Sequence, residues 1–85
     1  MSDTQSFKDK LDKEYSFPTL YKFKFIVPEK KTEEVTSLFA KHEVQIKPSK
    51  KGNYISVTVE IMAESSDKII EIYRQASQIE GIISL

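Results

Sequence analysis

The chain has 85 residues, enough for one domain with one modest core and too few for two. Thirteen Lys and Arg balance thirteen Asp and Glu, so the net charge is zero and the strongly basic balance expected of a nucleic-acid binder is absent. There is no cysteine, which excludes a disulfide framework, a thiolate metal site and a thiol nucleophile. The opening Met-Ser-Asp-Thr-Gln-Ser lacks the apolar core of a signal peptide, and no run approaches membrane-spanning length. The expectation is a cytoplasmic protein with no membrane contact.

In chain order, residues 1–16 are polar, with Phe7, Leu11 and Tyr15 spaced four apart, as on one stripe of a helix. So short a segment reads as a short helix or a flexible tail. Phe17-Pro18-Thr19 ends it, because the residue before a proline is pushed out of the helical region. Leu20 to Val27 is the first strand: Tyr21, Phe23, Phe25 and Val27 alternate with Lys22 and Lys24, so the aromatic side is expected inside and the lysines outside. Pro28 stops it. Thr32 reads as an N-cap with Glu33 and Glu34 in the first turn, and Val35, Leu38, Phe39 and His42 give a helix of about three turns.

From Glu43 the pattern returns to period two. Val44 and Ile46 alternate with Gln45 and Lys47; then Ile55, Val57, Val59 and Ile61 alternate with Ser56, Thr58 and Glu60. Gly52-Asn53 between the runs signals an antiparallel hairpin. Ser65 or Ser66 caps a second helix with the stripe Ile69, Ile72, Tyr73, Ala76 and Ile79, on which Glu71 and Arg74 pair outside. Gly81 suits a left-handed position past its end, and Ile82 to Leu85 form a short last strand.

Strand, helix, strand, strand, helix, strand with right-handed crossovers gives an α+β, ferredoxin-like βαββαβ sandwich. Its antiparallel four-stranded sheet runs in the order 4-1-3-2 with both helices on one face. Residues 17–85 make the single domain and residues 1–16 a leading segment.

The run Lys47-Pro48-Ser49-Lys50-Lys51-Gly52-Asn53-Tyr54, and Phe17-Pro18-Thr19 just before the first strand, resemble motifs of the YbeD-like family of small bacterial proteins. The resemblance implies a ferredoxin-like domain similar to the ACT regulatory domains that bind amino acids, and it brings no catalytic residues. ACT ligand loops carry glycine between the first strand and first helix, whereas here that loop is Pro28-Glu29-Lys30-Lys31-Thr32, so a small-molecule ligand stays open.

No catalytic constellation is visible. His42 is the sole histidine, with no nucleophile to activate, and there is no nucleophile elbow, His-x-x-x-His pair or Gly-rich phosphate loop. The reading is therefore not an enzyme, with no cofactor and no metal. Two surfaces remain. At the hairpin tip, Lys47, Lys50, Lys51 and Tyr54 exceed what a turn needs and suit an acidic protein partner, although lysines there also keep an edge strand from pairing. On the open face of the sheet, Lys22 and Lys24 are expected beside Tyr54, Ser56, Thr58 and Glu60, where an RNA recognition motif would stack bases, but one aromatic and Glu60 argue against nucleic acid. The preferred function is a regulatory or protein-interaction module, and the alternative a weak single-stranded RNA binder. The apolar last strand, at a sheet edge, also offers itself to a second copy in a homodimer.

Overall fold

Two ten-residue strands, β1 (Thr19–Pro28) and β3 (Tyr54–Ala63), carry the sheet. They pair antiparallel along their whole length, from Thr19 opposite Ala63 to Pro28 opposite Tyr54. In this computed structural model, which describes residues 3–49 and 52–85, β2 (Val44–Pro48) pairs with β3 and β4 (Ile83–Ser84) with β1. The order β2-β3-β1-β4 is the one the alternation and crossover rules predict, and the two strongest patterns do occupy the centre. Pro28 has no N–H, so the ladder ends there, and the next N–H, of Glu29, donates to the Asn53 carbonyl at 2.9 Å.

One face of the sheet is covered by helices. Phe23, Phe25 and Val27 of β1 and Val57 of β3 are wholly buried there, beside Ile55, Val59, Ile61 and Ala63. α2 (Thr32–Leu38) contributes Val35, with Phe39 just beyond its end, and α3 (Ser66–Ala76) contributes Ile69, Ile72 and Ala76. Phe23 meets the Tyr73 ring edge-on at 5.1 Å and Phe25 stacks on Phe39 at 6.0 Å, so the layer is filled largely by aromatic rings.

Three helices share this face. The third, α1 (Asp3–Glu14), comes from the leading segment: Leu11 is buried in the same core, and Phe7 packs edge-on against Tyr73 at 5.8 Å. Lys8 pins α1 to the start of α3, donating to Ser66 Oγ at 2.9 Å and pairing with Asp67 at 3.2 Å. The bond to Asp67 raises the Lys8 ammonium above its ordinary pKa.

The first predicted helix is shorter than its apolar spacing suggests. A 3₁₀ turn, Glu29–Lys31, precedes α2; Thr32 is its first residue, not its cap, and the Thr32 hydroxyl donates to the Glu29 carbonyl. α2 closes after two turns, and His42 lies exposed in the turn beyond rather than on the stripe. Ser65 is the cap of α3, its side chain accepting from the Lys68 N–H, and Glu71 pairs with Arg74 at 3.3 Å as expected. Ile79 is buried, but from the turn after α3.

Two measurements test this layer. Phe25→Ala leaves a cavity at a wholly buried site and should cost about 3–5 kcal/mol in denaturant melts, against less than about 1 kcal/mol for exposed Lys24→Ala. Equal losses would reverse the inward and outward faces of β1. Burial first, and then the 3.2 Å hydrogen bond with Tyr21, push the Tyr73 phenol well above its ordinary value of 10.0. The folded chain keeps that proton where the unfolded chain loses it, so stability is full below pH 10 and falls as pH rises beyond. Tyr73→Phe keeps the ring and loses the proton, so its urea midpoint should fall less between neutral pH and about pH 11 than the wild type's. An identical alkaline decline in both would show that Tyr73 is not the group responsible.

Candidate functional site

Alternation sends the even-numbered residues of β1 and β3 to the face without helices. The register fixes the rows: Leu20 beside Met62, Lys22 beside Glu60, Lys24 beside Thr58, Ile26 beside Ser56 and Pro28 beside Tyr54. Gln45 and Lys47 extend two rows on β2, opposite Thr58 and Ser56, and Ile83 on β4 adjoins Ile26. The Leu85 N–H donates to the Lys24 carbonyl at 2.8 Å, which continues the β4 register and sets Leu85 in the Lys24 row.

This face is apolar at its ends and along one edge. Among the described residues six large apolar side chains are exposed, and five of them (Leu20, Tyr54, Met62, Ile83 and Leu85) belong to it; the sixth, Ile46, is on the other side of edge strand β2. The middle is charged and divided. Lys22 and Lys24 stand on β1, while Glu60 on β3, Glu43 just before β2 and Lys47 toward the end of β2 stand on the other half. Lys22, Glu43, Gln45, Thr58 and Glu60 line a polar depression of about 290 Å3. Neither β1 lysine and neither acid makes an ion pair among the described residues, where the only pairs involve Lys8, Lys31 and Arg74.

The described members of the two predicted contact groups therefore share one face. Lys22 and Lys24 lie on the uncovered face as expected, and Lys47 and Tyr54 of the hairpin share it, as diagonal neighbours across the β2–β3 pair. Lys50 and Lys51 lie outside the described residues. Tyr54 is the one aromatic ring on this face among them. The alternation rule passed over Leu20, Met62, Ile83 and Leu85. Leu20 and Met62 do carry a signal, since each puts an apolar side chain at a position whose parity assigns it to the polar side.

A second depression, of about 540 Å3, opens at the end of the sheet, between Pro28, Glu29, Lys30, Lys31, Asn53, Tyr54, Glu80 and Gly81. Gly81 has φ +86°, and a β-carbon there would stand 2.7 Å from Pro28 Cγ, so only glycine lets this turn close on the end of β1. Lys31 is held by Glu34 at 3.0 Å, a bond that raises its ammonium pKa. Two lysines and two glutamates leave the rim without a net charge. Among the described residues no cluster of three His, Asp or Glu is placed to hold a metal ion, and no helix is long and apolar enough to cross a membrane.

Residues 12–85 match the family described as "Protein of unknown function (DUF493)". The chain is 32% identical to a UPF0250 protein of Shewanella oneidensis over 80 residues, covering 86% of this chain and 91% of the relative. It is 30% identical to a UPF0250 protein of Idiomarina loihiensis, covering 88% and 93%, and 35% identical to one from Buchnera aphidicola, covering 85% and 90%. No solved structure matches at a comparable level of significance. The chain belongs to the DUF493 family, in agreement with the YbeD-like resemblance of its hairpin.

Proposed function

We propose that this DUF493 chain is a small, non-catalytic interaction module of the regulatory kind, which docks a protein partner on the uncovered face of its sheet. One observation carries the reading: five of the six large apolar side chains exposed among the described residues stand on that face. Apolar surface gathered on one side of a small domain, around a charged centre, is the usual mark of a contact surface. Desolvating Met62 and Ile83 would supply affinity, while the lysines and glutamates set orientation. The reading as a non-enzyme rests on the sequence, which carries no nucleophile elbow, no His-x-x-x-His pair and no Gly-rich phosphate loop.

The RNA reading draws on Lys22, Lys24 and Tyr54. One ring gives a base little to stack on, and Glu60 beside Lys22 opposes a phosphate, so a protein partner fits better.

The test is Met62→Lys combined with Ile83→Lys. Both residues are more than half exposed, at 59% and 53%, so the melting temperature should hold to within a few degrees. Quantitative capture from a lysate of the source organism should lose partners of the wild type by roughly tenfold or more. Undiminished capture would count against the face. A short oligonucleotide that shifts the NMR signals of Lys22, Lys24 and Tyr54 together would favour the RNA reading instead.

A further inference from the structure

We infer that the partner this face fits is a second copy of the same chain, stacked sheet against sheet about a two-fold axis parallel to the strands and midway between β1 and β3. The inference rests on the docking reading of the face and goes further, because it names the occupant.

The argument is the division of charge. Lys22 and Lys24 occupy the β1 half and Glu60 and Glu43 the β3 and β2 half, where Lys47 toward the hairpin is the one cation among the described residues; none of the four has an ion-pair partner among the described residues. A two-fold axis along the strands exchanges the two halves and preserves position along the strand. β1 of one copy then lies over the partner's β3, and every cross-strand row meets its own reverse. Lys22 faces the partner's Glu60, Leu20 faces the partner's Met62, and Pro28 faces the partner's Tyr54. Lys24 comes over the partner's Thr58, on the rim of the polar depression that also holds the partner's Glu43 and Glu60. That depression gives the ammonium room and two carboxylates, with the partner's Lys22 on the same lining. On β4, Leu85 and Ile83 come over β2, where the aliphatic stems of Gln45 and Lys47 can cover them.

The other in-plane axis, across the strands, fails on the same charges. It stacks β1 on the partner's β1 and brings Lys24 against the partner's Lys24, with no acid in the row. The interface lies at the small end of the specific range. Strands of ten, ten, five and two residues, at about 3.4 Å per residue and about 4.8 Å apart, give a face of roughly 440 Å2 in projection, and more as accessible surface. A standard interface takes about 800 Å2 from each partner. Stacked sheets sit about 10 Å apart and cross at about 30°, offsets that long lysine and glutamate side chains can span.

The experiment uses two charge reversals in the full-length chain, read by sedimentation equilibrium with melting curves as a folding control. Wild type should dimerise at concentrations below about 1 mM. Lys22→Glu and Glu60→Lys each place like charges across the axis twice, and each alone should raise the dimer Kd by roughly 100-fold. Mixed one to one, an all-acid row meets an all-basic row, and the heterodimer should return to near wild-type affinity. A second probe does not depend on charge. The chain has no cysteine, so Leu20→Cys mixed with Met62→Cys should be joined into a heterodimer by a short bis-maleimide, since sheets stacked about 10 Å apart hold the two Cα atoms beyond the reach of a direct disulfide.

Reversal variants that melt like the wild type yet do not recover on mixing would overturn the arrangement. So would a wild-type dimer indifferent to both reversals, which would point to edge pairing through β4. A monomeric wild type would end the inference outright. The broader docking reading would still stand if the Met62→Lys, Ile83→Lys chain loses a protein that the monomer captures, so the two failures are distinguishable.

Discussion

The structure depends on one ten-residue pairing, β1 against β3, held in a single register from Thr19–Ala63 to Pro28–Tyr54. Because side chains alternate across a strand, that register assigns every residue of both strands to one of two faces, and a slip by one would turn the aromatic set to solvent. Phe23 and Phe25 on one strand, against Val57 and Val59 on the other, make such a slip costly. The remaining elements attach to this pair: β2 and β4 lengthen the sheet at its edges, and the helices close over the side that the register has made apolar.

The helical layer is held from two ends. α2 and α3 bring their aliphatic residues down onto the aromatic rows, and α1 is fastened to α3 by the Phe7–Tyr73 contact and by Lys8 at Ser66 and Asp67. The Lys8 pair is partly exposed and screened, so burial of Leu11 and Phe7 holds α1 while the ion pair sets where along α3 it sits. Tyr73 joins the layers: its ring meets Phe7, Phe23 and Phe25, and its hydroxyl finds Tyr21. All three helices crowd one side, and the other side stays bare.

Much of this was legible in the sequence, because the two central strands state their faces twice, once in each alternation. Strand order followed from element order and crossover handedness. Local competition was less legible. The spacing of Val35, Leu38, Phe39 and His42 continues a helix on paper. A 3₁₀ turn, Glu29–Lys31, comes first, however, and β2 begins at Val44, which leaves α2 only two turns. The leading segment could not be settled by its spacing, since so short a polar helix forms only when Phe7 and Leu11 have a surface to bury against. At the site, Lys22, Lys24 and Tyr54 were found as polar or aromatic exceptions, while the apolar half of the same face was hidden. Leu20 and Met62 read as strand ends, and Ile83 and Leu85 as edge residues, until the register set them beside one another.

The division of labour that results is a division by parity. Odd positions of β1 and β3 face the helices and carry stability; even positions face away and have almost no role in the core. Lys22, Lys24, Thr58 and Glu60 could thus be replaced with little effect on the fold, and a sequence shaped only for folding would fill such positions with interspersed charges of both signs. Here the signs on the two central strands are sorted, Lys22 and Lys24 on β1 against Glu60 on β3, and framed with apolar side chains at both ends. A fold of this size gains nothing from leaving Met62 and Leu20 together in water, where each would be more stable covered. The arrangement makes physical sense once the face is completed by a surface with the opposite order of charge, and the face itself, turned about an axis along its strands, is such a surface.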